Sequence, residues 1–356
     1  MGIVELYQLA CEFYHLTPLE AFTSARLDTA SRTLRLRGKG SLQPNLPPIQ
    51  INDEHCQALG KALRDDTSVT VLDLRYNAIT DKGAEALAEM LEMNRTIKTL
   101  LLDGNDIQAE GAGHLALAFQ MNETVQRLGL SHNRLGSEGN LALANMLQVN
   151  HKLTALNVAQ TDNDITSCIA YFTVLRTHPS LQEVNLSRPN LFSTQEETAV
   201  HAAEMLLDNT VLKTVVLQKH GITDFGAARL AQSLQKNTSL QGLDLRNNRI
   251  GPDGVAELGR ALARQETGKG LRFLDLGYNR AQTLGVEELL PCLLKTNLKA
   301  VSLEHNEIDS QGVAMLAQHL STQPLPDEMY LWGNPAIVAP NAPQGPLKVQ
   351  HCGVLG

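Results

Sequence analysis

One 28-residue pattern returns through most of this chain of 356 residues. Each copy follows the frame L-x-x-L-x-L-x-x-N-x-L, in which L stands for an apolar residue. The copies begin at Val69, Ile97, Val125, Leu153, Leu181, Leu212, Leu240, Leu271, Leu298 and Pro326, at steps of 27 to 31 residues. One such unit cannot bury its own apolar face, whereas a stack of units shares a continuous core. The repeat therefore predicts a solenoid.

Each copy carries the pattern of a short strand, a turn and a helix. In the copy from Val69, residues 71–75 alternate apolar and polar, as expected of a strand with one buried face. Between Ala84 and Leu91, apolar residues recur at i, i+3, i+4 and i+7, which forms one stripe of a helix. Because a helix is wider than a strand, we expect a curved stack with strands on its concave side.

These repeats resemble the leucine-rich repeats of the ribonuclease-inhibitor-like class, whose units also contain a full helix. The resemblance implies a right-handed α/β horseshoe, with parallel strands on the concave face and helices on the convex face. It divides the chain into an N-terminal helical cap at 1–30, about 11 repeats at 31–335 and an extended Pro-containing tail at 336–356. Within the cap, we expect one helix over Gly2–Leu16 and a second from Thr17 through Phe22.

Composition points to a soluble intracellular protein. The net charge of -8 and the pI near 5.8 disfavour nucleic acid or an anionic membrane as the main partner. Five cysteines without a C-x-x-C pair fit a reducing compartment better than a disulfide framework or a zinc site. No apolar run approaches the roughly 18 residues of a membrane span. We expect a cytoplasmic location, with the cytoskeleton, the cilium and the nucleus left open.

The motifs of the chain do not indicate catalysis. No Ser/His/Asp set, paired carboxylates or metal-ligating cluster stands out among its 11 histidines and 38 acidic residues. An open solenoid surface also lacks the enclosed pocket that most enzymes need. We therefore expect no enzyme activity, no cofactor, no metal and no small-molecule substrate.

The resemblance leaves the function open, because this class serves several roles. It includes ribonuclease inhibitors, Ran GTPase-activating proteins, the sensing ends of NOD-like receptors and subunits of ciliary axonemes. We expect a protein-binding scaffold or a structural subunit of a larger intracellular assembly, cytoskeletal or ciliary. The alternatives are a small-GTPase regulator and an inhibitor of a partner enzyme. The mixed charges of Asp73, Arg75, Asp103 and Arg127 give little support to an inhibitor of a basic enzyme.

The resemblance also implies that the Asn of the frame bonds the backbone of neighbouring turns, which would satisfy buried amides. Seven of ten copies keep it, at Asn77, Asn105, Asn133, Asn248, Asn279, Asn306 and Asn334. Three consecutive copies carry Thr161, Pro189 and His220 instead, and the middle one has an insertion around Phe192. Either these copies have diverged without consequence, or Pro189, Leu191, Phe192 and His220 form a seam that meets a partner.

Aromatic residues are concentrated in the last repeats, at strand and turn positions expected to face the hollow. Aromatic anchors commonly contribute about 2 kcal/mol or more each to an interface. We therefore expect a partner protein to dock on a patch of four aromatic residues, one of them the sole Trp, with a polar rim: Phe273, Tyr278, Tyr330, Trp332, Arg246, Asp244 and Asp275. The alternative is that Tyr330 and Trp332 only cap the last strand.

Overall fold

The computed structural model describes residues 2–19, 22, 27–38, 50–191, 196–266, 268–322 and 326–334. The chain divides into two compact units, residues 1–174 with 178–181 and residues 175–177 with 182–356. Phe192 of the expected seam and the tail at 336–356 lie outside the described residues.

Short strands alternate with helices in both units. The first unit contains β1 (Leu27–Asp28), β2 (Thr33–Arg35), β3 (Val71–Asp73), β4 (Thr99–Leu101), β5 (Arg127–Gly129) and β6 (Ala155–Asn157). Its helices are α1 (Ile3–Phe13), α2 (Asp53–Leu63), α3 (Asp81–Met93), α4 (Ala109–Met121), α5 (Gly136–Leu147) and α6 (Ile165–Leu175), the last residue of which belongs to the second unit.

The second unit contains β7 (Glu183–Asn185), β8 (Thr214–Val216), β9 (Gly242–Asp244), β10 (Phe273–Asp275), β11 (Ala300–Ser302) and β12 (Glu328–Tyr330). Its helices are α7 (Glu197–Asp208), α8 (Asp224–Leu234), α9 (Pro252–Leu262), α10 (Gln282–Leu293) and α11 (Ser310–Thr322).

Within each unit the strands lie in chain order. They pair in parallel, except that β1 is antiparallel to β2. The register moves by one whole repeat at each step, so Leu72 pairs with Leu100 and Leu100 pairs with Leu128. The expected α/β solenoid of strand, turn and helix is confirmed in each unit.

The apolar positions of the frame form the core of each unit. Leu72, Leu74 and Ile79 are fully buried on the strand side of one repeat, and Leu87 and Leu91 are fully buried on its helix. The same positions are buried in the following repeats, because each strand and helix packs on its equivalent one repeat along. The side chains between these apolar positions form the opposite surface of the sheet, which we call the strand face.

Acidic side chains connect the start of one helix to the start of the next. Asp81 Oδ1 accepts hydrogen bonds from the backbone N–H groups of Gln108 (2.7 Å) and Gly111 (2.9 Å). A Cβ atom at Gly111 would lie 2.6 Å from that oxygen, so glycine is needed there for close approach. Equivalent bonds are made by Asp53, Glu196 and Asp224.

The prediction of a second helix in the N-terminal segment is wrong. Thr17–Leu19 and Phe22 are not helical, and the segment is too short to offset the cost of helix nucleation. Phe22 instead buries its ring against Tyr7 of α1, with 4.2 Å between ring centroids. Phe22 therefore contributes to the packing of α1 without being part of a helix.

A second set of asparagines joins the ends of successive helices. Asn122, just after α4, donates from Nδ2 to the carbonyl of Leu91 at 2.7 Å. Its Oδ1 accepts from the N–H groups of Thr124 and Val125, both at 2.9 Å. We call this set the helix-end ladder; its members make the same bond to the helix before: Asn94, Asn122, Asn150, Asn209 and Asn237. His178 and Gln265 replace Asn in two repeats.

The Asn122→Ala substitution is expected to destabilise the protein by about 3 kcal/mol, because it leaves the buried N–H of Val125 without its partner and removes the bonds to the Thr124 N–H and the Leu91 carbonyl. Chemical denaturation measures this loss. Glu123→Ala, at the exposed neighbour, is the control and should change the free energy of unfolding by less than about 0.5 kcal/mol. Equal stability of the two variants would contradict a structural role for this ladder.

Candidate protein-binding surface

The seven frame asparagines make the same set of hydrogen bonds, which we call the turn ladder. Asn133 donates from Nδ2 to the carbonyl of Leu102 in the preceding repeat and to that of Leu130 in its own repeat, both at 2.9 Å. Its Oδ1 accepts from the N–H of Ile107 at 3.1 Å. Asn77, Asn105, Asn248, Asn279 and Asn334 follow the same scheme, and Asn306 differs only in donating to the Glu304 carbonyl within its own repeat. These side chains are buried and hold successive turns together.

The position before each frame Asn also has a constant geometry. Its φ angle is positive in every repeat, from 49° at His305 to 76° at Gly333. The side chains of this position therefore leave the turn in the same way, and a ring can lie over the next turn. Tyr76 does so over Gly104, where a Cβ atom would approach the ring to 2.5 Å.

Thr161 replaces the first missing Asn with a local network. Its Oγ1 donates to the carbonyl of Val158 at 2.7 Å, which is the bond that a frame Asn makes within its own repeat. Asn140 of α5 donates from Nδ2 to the Thr161 carbonyl at 3.0 Å, and Asn163 also reaches Val158. Tyr171 OH lies 3.3 Å from Asn140 Oδ1. These buried side chains fill the interior and are not part of a partner surface.

His220 continues the turn ladder of the second unit. It is 4% exposed, and its Nε2 bonds to the carbonyl of Leu186 at 3.0 Å, as an Asn would. Burial lowers the pKa of His220 to about 4, although the bond to Leu186 opposes the shift. The side chain of His220 therefore belongs to the interior of this unit, and its place in a binding seam stays a prediction. Pro189 and Leu191 are half-buried, and their place in a binding seam stays a prediction.

Three rings form a stack at the C-terminal end of the strand face. Tyr278 stacks on His305 with 4.1 Å between centroids and 23° between planes. His305 meets Trp332 edge to face at 4.9 Å. A Cβ atom at Gly333 would approach the His305 ring to 2.3 Å, so glycine leaves room for the ring. The structure therefore brings Tyr278 and Trp332 together through His305, and Trp332 remains 68% exposed.

Arg246 supports this stack from the side. Its guanidinium lies 4.6 Å from the centroid of the Tyr278 ring, as a cation–π contact. It also forms ion pairs with Asp275 (3.4 Å) and Glu304 (2.8 Å), which is two repeats away. The side chain passes the intervening repeat at Gly277, where a Cβ atom would lie 3.3 Å from Arg246 Nη1. Arg246 is thus held in one orientation by an aromatic face and two carboxylates.

The remaining expected residues lie around this stack. Asp244 accepts a hydrogen bond from Gln218 Nε2 at 2.7 Å, and burial together with the charge of Asp275 raises the pKa of Asp244 to about 6. Tyr330 OH donates to Glu328, and burial with this bond raises the pKa of Tyr330 to about 12. Phe273 is 38% exposed, because its strand neighbours are the small residues Gly242 and Ala300.

The described strands and helices carry neither a metal-binding group nor a membrane span. Within the described ranges, no three His, Cys, Asp or Glu side chains are grouped so that they could hold a metal ion. Among the same residues, no helix has the length and apolarity needed to cross a membrane.

The charged residues expected on the strand face of the first unit have partners within that unit. Asp73 pairs with Arg75 at 2.9 Å, and Asp103 accepts a hydrogen bond from Ser131 Oγ at 2.6 Å.

A family model described as "Leucine Rich repeat" matches residues 65–88, 94–116, 122–144, 236–259 and 295–317. The chain contains leucine-rich repeats. Its assignment to the ribonuclease-inhibitor-like class stays a prediction.

Three similar proteins share the description "Leucine-rich repeat-containing protein 34". The mouse protein is 36% identical over 49% of this chain and 41% of its own length. The rat protein is 36% identical over 44% of this chain and 37% of its own length. The human protein is 33% identical over 42% of this chain and 32% of its own length. The chain therefore spans less than half of the length of each of these relatives.

Two solved structures show distant likeness. The structure "Leiomodin-1 Actin-Binding Site 2 (ABS2)" is 22% identical over 43% of this chain and 75% of its own, with a TM-score of 0.32. The APL1 leucine-rich repeat domain is 18% identical over 72% of this chain and 66% of its own, with a TM-score of 0.35.

The leucine-rich repeats indicate a protein-interaction scaffold. Members of this family are generally interaction modules without enzymatic activity. The structure adds His305 and Glu304 to the surface expected from the sequence. Both could have been found by aligning the frame, since His305 follows Tyr278 and Glu304 follows Gly277 at equivalent repeat positions.

The neutral state of His220 is expected to make this protein sensitive to acid. The folded-state pKa of His220, about 4, lies below its unfolded value. The contribution of neutral His220 to the free energy of unfolding is therefore complete above about pH 6.5 and is lost as the pH falls toward 4. His220→Asn, which restores the ladder residue, should remove about 3 kcal/mol of this loss. Denaturant unfolding at about pH 7.5 and about pH 4.5 measures the difference.

His132→Asn is the matched control, because His132 is an exposed turn residue. It should keep the pH dependence of the wild type. If His220→Asn loses as much stability on acidification as the wild type, a buried neutral His220 is ruled out.

Proposed function

We propose that this chain is a non-catalytic scaffold whose strand face binds a partner protein through the C-terminal aromatic surface. Its anchors are Tyr278, His305 and Trp332, with Phe273 and Tyr330 beside them. The supporting observation is that Trp332, the sole Trp, is 68% exposed while its ring is fixed against His305. An apolar ring of this size is costly to leave in water unless it is covered in a complex.

Preorganisation supports this role. Rings that are already stacked lose little side-chain entropy when a partner covers them, so more of the buried area contributes to affinity. Arg246 forms ion pairs with both Asp275 (3.4 Å) and Glu304 (2.8 Å), which gives the surface a polar border. An aromatic centre with a polar border is the usual composition of a protein interface.

The larger setting is part of the same proposal. We infer that the chain acts as a structural subunit of an intracellular assembly. Its resemblance to subunits of ciliary axonemes makes cytoskeletal and ciliary complexes the first to examine. The partner is a protein, and neither nucleic acid, membrane nor small-molecule substrate enters the proposal.

The double substitution Tyr330→Ala with Trp332→Ala should release the partner while the fold remains intact. Affinity purification with quantitative mass spectrometry compares the wild type, the double variant and Phe225→Ala. Phe225 is the control, because it is 59% exposed on α8, away from the strand face. Some proteins should co-purify with both the wild type and Phe225→Ala. The amount of these proteins recovered with the double variant should be lower by about tenfold or more, which corresponds to a loss of about 1.4 kcal/mol in binding free energy.

The interaction is then measured with the purified partner. Because Trp332 is the sole Trp, its intrinsic fluorescence reports directly on this surface in the wild type. Binding should shift the emission of Trp332. A partner that binds the double variant as tightly as the wild type, with unaltered circular dichroism, would refute the proposal.

A further inference from the structure

Exposed apolar side chains form a row on the helix side of the first unit. Met93, Met121 and Val149 occupy the same position in three consecutive repeats, each directly before an Asn of the helix-end ladder. They are 48%, 74% and 58% exposed, respectively. Leu117 precedes Met121 by four residues, so the two share one face of α4, and Leu117 is 63% exposed. We call these four residues the apolar row.

The fold does not require apolar residues at this position. Five other repeats carry polar side chains there, and all five are exposed: Asp65, Thr177, Asp208, Lys236 and Arg264. Water therefore suits the position, and three apolar residues in succession have no role in the core. Adjacent exposed apolar side chains indicate an interaction surface, and methionine adapts well to a partner because it is flexible and polarisable.

The helix-end ladder fixes the spacing of the row. Asn122 bonds to Leu91 at 2.7 Å and Asn150 bonds to Phe119 at 2.6 Å, so the ends of α3, α4 and α5 are held in register. Packed helices lie about 8–10 Å apart, which sets the distance between successive members of the row. Positions i and i+7 of an α-helix are about 10.5 Å apart. An extended strand presents the same face about every 7 Å and does not match this spacing.

We propose that the apolar row binds an amphipathic α-helix of a partner protein. The helix crosses α3, α4 and α5, and its apolar residues at i, i+7 and i+14 contact Met93, Met121 and Val149. The proposal concerns a second surface, which is separate from the strand face and does not depend on the function proposed above.

The charges beside the row determine the direction of the bound helix. Glu89 and Glu92 are exposed near Met93, where Arg95 is the nearest opposing charge in the sequence. At the other end, Lys152 is exposed and is the only Asp, Glu, Lys or Arg between Gly139 and Leu153. A helix carries a partial positive charge at its N-terminus and a partial negative charge at its C-terminus. The partner helix therefore lies with its N-terminus over α3 and its C-terminus over α5.

Two hydrocarbon-stapled helical peptides of about five turns test this geometry. They share the same apolar positions and the same composition. The forward peptide has Lys in its N-terminal half and Glu in its C-terminal half, and the reversed peptide exchanges them. Stapling keeps both helical. In the forward peptide the side-chain charges and the helix dipole favour the same direction on the row, whereas in the reversed peptide they favour opposite directions. Fluorescence anisotropy measures the affinity of each peptide for the full chain at low and high salt.

The forward peptide should bind about tenfold tighter than the reversed peptide at low salt, and the difference should shrink as salt screens the charges. Leu117→Gln with Met121→Gln should weaken the forward peptide by about tenfold or more. Phe225→Gln with Leu284→Gln is the control, since these residues are 59% and 60% exposed on helices of the second unit. The control should bind like the wild type.

Three results would overturn the proposal. They are equal binding of the two peptides, binding that survives Leu117→Gln with Met121→Gln, and failure of both peptides to bind. Sedimentation velocity identifies the competing occupant, a second copy of the chain. If the wild type is a dimer and the Leu117→Gln, Met121→Gln double variant is a monomer, the row mediates self-association instead.

Discussion

Every repeat of this protein depends on side chains that bond the backbone of a neighbouring repeat. Short strands of two or three residues and a turn leave many backbone groups without a partner inside their own unit. The turn ladder satisfies these groups on one side of the core, and the helix-end ladder satisfies them on the other. Buried N–H and C=O groups without partners would each cost about 1–3 kcal/mol. Apolar burial drives the stack together, while the two ladders determine its register.

This arrangement explains which parts of the structure the sequence predicts. The period and the apolar positions predict the solenoid, and the frame Asn predicts one ladder. The helix-end ladder was missed because Asn94 and Asn122 do not belong to the apolar frame, although they return with the same period. His220 was expected at a break in the ladder, yet an imidazole nitrogen can reach the carbonyl of Leu186 as an amide does. A hydrogen bond of this kind depends on distance and orientation, which the residue type alone does not give.

The binding surfaces were predictable only in part, for a related reason. The concentration of aromatic residues near the C-terminal end is visible in the sequence. Their contacts are not, because the ring of His305 reaches both Tyr278 and Trp332 only when the positive φ of each turn directs the side chains along the stack. The apolar row likewise becomes visible when exposure is known, since Met93 and Met121 otherwise count as further apolar residues of their helices. In both cases the ladders hold the residues of successive repeats at a fixed spacing.

Native-state hydrogen exchange tests this dependence most directly. In the first unit, Asn133 Oδ1 accepts from the N–H of Ile107, which belongs to the preceding repeat. If the ladder holds repeats together, Asn133→Ala should reduce the exchange protection of Ile107 and of the turns on both sides of it, while amides of the second unit keep theirs. Unchanged protection of Ile107 in a folded Asn133→Ala protein would show that packing alone sets the register and would contradict the account.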